Sequence, residues 1–309
     1  MPYPYDSELR LGHHTSIAGS LERSALEAIA LGANTFQIFS SSPRQWRASQ
    51  PSIPAIKLLK DLRQKHDLYP LVIHDNYLIN LAASDEWIRK SSIVAFRGEI
   101  ERALAIGAEY LVAHPGNYKG LTIEQGILRF LEGVAEASAG INTKGLRLLI
   151  ENTVGAGAQL GGKLEELKVM RDYGMQMTDL EIGFCLDTCH LLCSGYDVVS
   201  QEGLNKTVKL ADELLDLDAN VPVIHANDSK GALGSHIDRH QNIGEGYIGL
   251  EGFRRILAHP KLDSKAFILE TPVDNEGDDK RNLDTLKSLC PKPRAPKRPP
   301  TLRKGELRN

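Results

Sequence analysis

The sequence predicts an α/β protein, a (β/α)8 barrel of the TIM type with its active site at the C-terminal ends of the strands. Three observations carry that reading. Eight short apolar or β-branched runs recur along the chain, with segments of amphipathic helical period between them. No G-x-G-x-x-G turn follows the first run, which weakens the competing open, doubly wound sheet. The last six runs end in His, His, Glu, Asp, His and Glu, and a barrel gathers such strand ends on one face.

In chain order the runs are Leu9–His14, Asn34–Phe39, Leu71–His74, Tyr110–His114, Arg147–Glu151, Gly183–Asp187, Val221–His225 and Phe267–Glu270. Parallel neighbours need long crossovers, and helices supply them. Helical segments include Ser20–Leu31, Ile88–Ile106, Ile123–Ala137, Lys163–Met170 and Leu204–Leu215. Thr122 with Gln125 three positions on has the spacing of a capping box, and Gly32 and Gly107 sit where helices stop. No long linker divides the chain before residue 290, so residues 1–290 read as one barrel domain.

The 309 residues are 41% hydrophobic and 25% charged, which excludes wholesale disorder, collagen and disulfide scaffolds. No apolar run approaches the roughly 20 residues of a membrane helix, so no membrane partner is expected. The first ten residues, MPYPYDSELR, lack an apolar signal core, and the four cysteines suit reduced thiols; a cytoplasmic protein is expected. Net charge is −3, but residues 291–309 hold seven Lys/Arg, one acid and five prolines, leaving −9 for the rest. That basic tail cannot bury a core and is expected to be disordered.

The polar strand ends carry the chemistry. They are His74, His114, Glu151, Asp187, His225 and Glu270, with His190 three residues after Asp187 and Asp238 and His240 between the seventh and eighth runs. A lone buried His or Asp is usually a hydrogen-bonded structural residue. Four clustered carboxylates, however, need compensating cations. Five imidazoles with four carboxylates favour zinc or a similar transition ion over magnesium or calcium, and nine donors exceed a single tetrahedral site. Clustered divalent ions suit hydrolysis of a phosphate ester. The glycines at 155, 157, 161 and 162 are too loosely spaced for a phosphate cradle and read as a flexible loop.

The segments HDNYLINLA (74–82), HPG (114–116), IENTVGAG (150–157), CLDTCHLLCSGYD (185–197), HANDSK (225–230), GSHIDRHQNIGEGYIG (234–249) and ILET (268–271) resemble the endonuclease IV family. These are zinc-dependent abasic-site endonucleases of DNA base-excision repair. The resemblance runs in order over roughly residues 9–290 and matches the family's nine ligand positions. It implies three zinc ions, with Mn²⁺ or Fe²⁺ able to replace one. His74 and His114 would hold the first, and Glu151 would bridge it to the second, completed by Asp187, His225 and Glu270. His190, Asp238 and His240 would hold the third. Glu151 and Glu270 are the expected catalytic carboxylates. A hydroxide between the first two ions would attack the phosphorus 5′ to the lesion, leaving a 3′-hydroxyl and a 5′-deoxyribose phosphate. Removal of 3′-blocking groups is a second implied activity. Six positive charges would offset much of the −9 and reconcile an acidic protein with DNA.

The implied partner is double-stranded DNA carrying abasic sites or 3′ blocks, met by a monomer working at the nucleoid. The segment SPRQWR (42–47) resembles the family's minor-groove loop, with Arg44, Gln45 and Trp46 entering the gap and Tyr77 supporting it. On residue chemistry alone, Trp46 packing on the barrel rim is the simpler expectation. Three positions invite comment. His13 stands where the family commonly has a small residue, and His236 where it has Arg. Cys189 matches the family and is expected to be structural. Two other functions compete. A metal-dependent sugar isomerase or epimerase is opposed by the third donor triad, and a non-cleaving DNA-binding relative by the complete donor set.

Overall fold

The structure, a computed structural model, describes residues 9–42, 45–46 and 50–291. Arg44 and the tail from residue 292 onward lie outside the described residues. The barrel strands are β1 (Arg10–His14), β2 (Thr35–Phe39), β3 (Leu71–His74), β4 (Tyr110–Ala113), β5 (Arg147–Glu151), β6 (Glu181–Asp187), β7 (Val223–His225) and β10 (Ala266–Leu269). They pair in parallel and close in the order β1-β10-β7-β6-β5-β4-β3-β2. The remaining two, β8 (Asp228–Ser229) and β9 (His240–Gln241), form a separate antiparallel ribbon above the rim.

The helices are α1 (Leu21–Leu31), α2 (Ile53–His66), α3 (Glu86–Ile106), α4 (Ile123–Ser138), α5 (Leu164–Gly174), α6 (Thr188–Ser194), α7 (Gln201–Leu215), α8 (Leu217–Asn220), α9 (Gly249–Ala258) and α10 (Asp278–Leu289). Their ends follow local chemistry. The capping box at Thr122 and Gln125 forms in both directions at the start of α4. Gly32 and Gly107 end α1 and α3 in left-handed conformation, φ 71 and 79. Two helices begin earlier than hydrophobic period suggests: α3 and α7 start at polar turns capped by Asp85 and Ser200. Among the described residues no helix is long and apolar enough to cross a membrane.

Strand side chains alternate between the helix layer and the lumen. The outward set, including Phe36, Ile73, Phe184 and Phe267, packs with the helices in one large core. The inward set forms a second cluster of Val72, Val112, Leu149, Cys185, Val223 and Ile268, each fully buried. This cluster floors the site. Two residues further along the six strands stand His74, His114, Glu151, Asp187, His225 and Glu270, brought to the same side by the period of two. His114 and Glu270 lie one residue past the assigned ends of β4 and β10.

Candidate metal centre

Above the apolar floor the donors form three groups, in each of which the candidate ligand atoms lie within 4.8 Å of one another: His74, His114 and Glu151; Glu151, Asp187, His225 and Glu270; His190, Asp238 and His240. Glu151 is fully buried and belongs to two of the groups. Its Oε2 lies 3.2 Å from His74 Nε2 and 3.7 Å from His114 Nε2. Its Oε1 lies 3.0 Å from His225 Nδ1 and 3.4 Å from His190 Nδ1. One carboxylate thus faces imidazoles on both sides.

The spacing of LDTCH has a local cause. Asp187 is the N-cap of α6: its Oδ1 accepts from the backbone N–H of His190 at 2.8 Å, which places the His190 ring beside the carboxylate. Asp187 Oδ2 accepts from Asn227 Nδ2 at 2.6 Å and lies 3.7 Å from His240 Nε2. The third group is closed from above. His190 Nε2 meets Asp238 Oδ1 at 3.2 Å, and His240 Nε2 lies 3.8 Å from the same oxygen.

Three rings are oriented by backbone oxygens. His74 Nδ1 donates to the carbonyl of Asp75 (3.0 Å), His190 Nδ1 to that of Asn152 (2.9 Å), and His240 Nδ1 to that of Glu270 (3.1 Å). In each the Nε2 atom is left for the centre, as metal-binding imidazoles are commonly arranged. Burial opposes the charge on His74, but the adjacent Glu151 outweighs it and carries the ring up to about 9. Burial likewise pushes Glu151 upward, and the charges of His225 and His114 prevail, holding it well below the usual carboxylate range.

The donor set fits transition ions. Its carboxylates are faced by imidazoles, and buried charges of this kind require cations. Two buried ring nitrogens, His114 Nδ1 and His240 Nε2, have no hydrogen-bond partner among the described residues, and His240 Nε2 points at Asp187 and Asp238. Mixed nitrogen and oxygen donors suit zinc-like ions better than all-oxygen cations. Cys189 also lies within 4.8 Å of Asp187 and His240 in donor-atom terms, yet it is buried and its Sγ faces the carbonyl of Arg239 at 3.9 Å.

A cavity of about 400 Å³ opens over the centre, lined in part by His114, Asp238, His240, Glu270 and Tyr77. The Tyr77 side chain is 67% exposed, with its ring edge-on to Phe39 at 5.0 Å. Gln45 is exposed. Trp46 is half-buried, packing on the helix-layer core and edge-on to Trp87 at 5.8 Å, which is the rim contact its chemistry suggested. His13 is buried at the cavity wall, 3.5 Å from Thr271 Oγ1. His236 takes a left-handed backbone, φ 55, and its Nδ1 donates to the carbonyl of Val154 at 2.6 Å, tying its loop to the one after β5.

Sequence reasoning missed several supporting residues. Gln37 bridges His225, Glu270 and His14, and Asn227 bridges Asp187 and Glu270. Asp228 accepts from the backbone N–H groups of Gly244, Gly246, Ile248 and Gly249, which fixes the GEGYIG loop after β9. The available signal for Gln37 is its polarity within the apolar run TFQIF.

A closed parallel barrel with clustered imidazoles and carboxylates over an apolar floor defines a metal-centre enzyme of the TIM-barrel class. A family model described as a xylose isomerase-like TIM barrel matches residues 26–289. The chain is 60% identical over 282 residues, 91% of its length, to a probable endonuclease 4 of Solibacter usitatus, covering 97% of that protein. It is 41% identical to a probable endonuclease 4 of Halothermothrix orenii, over 85% of this chain and 94% of that one. The crystal structure of endonuclease IV from Thermus thermophilus superposes with a TM-score of 0.80 at 37% identity, covering 91% of this chain and 98% of that one. The chain belongs to the endonuclease IV family and is a phosphodiester-cleaving endonuclease. A D-tagatose 3-epimerase-like protein, 20% identical with a TM-score of 0.65, shares the fold alone.

Proposed function

We propose that this protein incises duplex DNA 5′ to abasic sites, leaving a 3′-hydroxyl and a 5′-deoxyribose phosphate, and also removes 3′-blocking groups. Three zinc ions per chain, one replaceable by Mn²⁺ or Fe²⁺, would occupy the three donor groups. The observation that carries the reading is Glu151, buried and flanked on both oxygens by imidazoles from other elements of the barrel. In this reading His74, His114 and Glu151 hold the first ion. Glu151, Asp187, His225 and Glu270 hold the second, and His190, Asp238 and His240 the third. When bound, the ions supply a strongly nucleophilic water near neutral pH and Lewis acidity toward phosphate oxygens.

The chain's own residues do the rest. Glu151 fixes the spacing of the two imidazole pairs it separates. Glu270 borders the cavity, and His225 beside it keeps its carboxyl ionised against the upward push of burial, so it can accept a proton from an attacking water. The apolar floor excludes bulk water from below. The cavity takes an extruded sugar-phosphate unit, and Tyr77, Gln45, Trp46 and Arg44 are the residues for the gap left in the duplex. The protein acts as a monomer.

The test is cleavage of a duplex carrying one tetrahydrofuran abasic analogue beside the intact duplex, with zinc-loaded protein. A single cut 5′ to the analogue, sparing the intact duplex, is expected; the analogue cannot undergo β-elimination, so lyase chemistry cannot imitate it. No cut by protein carrying about three ions per chain would overturn the reading.

A further inference from the structure

Gln37 sits on β2, across the lumen from β7 in the closed barrel, and is fully buried. Its amide makes three contacts. Nε2 lies 2.5 Å from Glu270 Oε1 and 3.0 Å from His14 Nδ1, and Oε1 lies 2.8 Å from His225 Nε2. The orientation of that amide is forced, because a carboxylate only accepts and so must face the NH₂ group. The amide oxygen is thereby turned toward His225, whose Nε2 must donate to it. The remaining ring nitrogen, Nδ1, is turned between Glu151 Oε1 (3.0 Å) and Glu270 Oε2 (3.3 Å), where it donates to the carboxylates and is the nitrogen free to give up its proton when a cation binds. The second amide hydrogen goes to His14, so Nδ1 of that ring accepts and its proton resides on Nε2.

His225 is therefore the exception among the candidate ligands. His74, His190 and His240 each donate Nδ1–H to a backbone carbonyl and offer Nε2. A carbonyl accepts in any side-chain background, whereas the partner of His225 is a side chain and can be lost. We propose that Gln37 is a positioning residue of the metal centre: it fixes His225 as an Nδ1 ligand and locks the Glu270 carboxylate beside it. The proposal rests on the metal reading given above.

The test uses zinc-loaded, ¹⁵N-labelled full-length protein and long-range ¹H–¹⁵N spectra of the imidazoles, together with zinc competition against a chromophoric chelator. Wild type is expected to show one metal-bound ring ligated through Nδ1 and protonated on Nε2, with the other ligand rings bound through Nε2. Gln37→Met keeps the volume but removes both hydrogen-bonding functions. It is expected to lose the Nδ1-bound signature and to hold one zinc roughly 10- to 100-fold more weakly. Gln37→Glu keeps an oxygen facing His225 and is expected to retain that signature while losing the link to Glu270. Three bound ions with every ligand ring bound through Nε2 would overturn this proposal and leave the metal reading standing. So would a Gln37→Met protein matching wild type in both measurements. No zinc uptake by wild type would overturn both. The wild-type spectrum decides the ligation pattern even if the Met variant does not fold.

Discussion

The Glu151-centred donors and the His190–Asp238–His240 group present similar donor atoms from different foundations. The first set comes from six strand ends, each two residues above a floor residue, and the side chains of Glu151, Asp187 and His225 are at most 1% exposed. The second takes His190 from the short helix α6, Asp238 from the segment joining β8 to β9, and His240 from the first residue of β9; the Asp238 side chain is 49% exposed. Hydrogen bonding around the closed sheet fixes strand ends against one another, while loop donors depend on whatever pins the loop. The difference teaches what to expect if both groups take ions: the loop-built group should hold its ion the less tightly.

The largest expected effect is at the shared carboxylate. Glu151→Gln should lower turnover on the abasic analogue by orders of magnitude while circular dichroism shows an intact fold; near-normal turnover would remove Glu151 from its role. Asp238→Asn sharpens the contrast: about one ion per chain should leave, measured by metal analysis after desalting, while the strand-built group keeps its own. Loss of all ions together would erase the distinction drawn between the two sets.

Acidity provides a third comparison. His74 is raised to about 9 by Glu151 in the metal-free protein, so it holds a proton at pH 7 that a metal must displace. Zinc uptake at pH 7 should release protons, read by calorimetry in buffers of different ionisation enthalpy, and affinity should fall as pH falls. Without metal the sign for stability is opposite: this pair's contribution is full below the ordinary histidine value of 6.5 and is lost as pH rises through about 9. Metal-free protein whose melting temperature does not fall over that range would contradict the pairing.

Two smaller effects separate loop from scaffold. A Cβ at Gly246 would stand 2.4 Å from both Asp228 Oδ1 and the Ser229 carbonyl, so Gly246→Ala should disturb the pinned loop beside the ribbon. The expected cost is about 1–3 kcal/mol of stability with selective weakening of the loop-built site. Thr122→Ala breaks the exposed capping box of α4, whose residues belong to none of the donor groups, and should cost about 0.5–2 kcal/mol in denaturant melts with unchanged zinc content.

Legibility in the sequence follows the same divide. The barrel and its six strand-end donors could be read because the period of two carries each from an apolar floor position to the rim, as from Val72 to His74 and Leu149 to Glu151. The third triad was visible only as a motif, since the two-residue strands β8 and β9 are too short to show a period. Gln37 gave no motif, because its role depends on partners 188 and 233 residues away in the chain. Asp228 looks like one more acid in HANDSK, and only the folded GEGYIG loop shows the backbone N–H groups it gathers. For Trp46 rim packing is the simpler expectation, but its partner cannot be read locally, because Trp87 belongs to α3, outside the loop's own sequence.

The sealed floor of Val72, Val112, Leu149, Cys185, Val223 and Ile268 makes the lumen a vessel with one mouth. On the proposed reading, ions, water and the severed strand would all travel through the face against which a duplex would lie. Traffic then acquires an order: loading precedes docking, and a docked duplex stoppers the vessel. A chelator should strip the idle protein faster than the protein at work, so occupancy by damaged DNA would itself guard the cargo that cleavage requires.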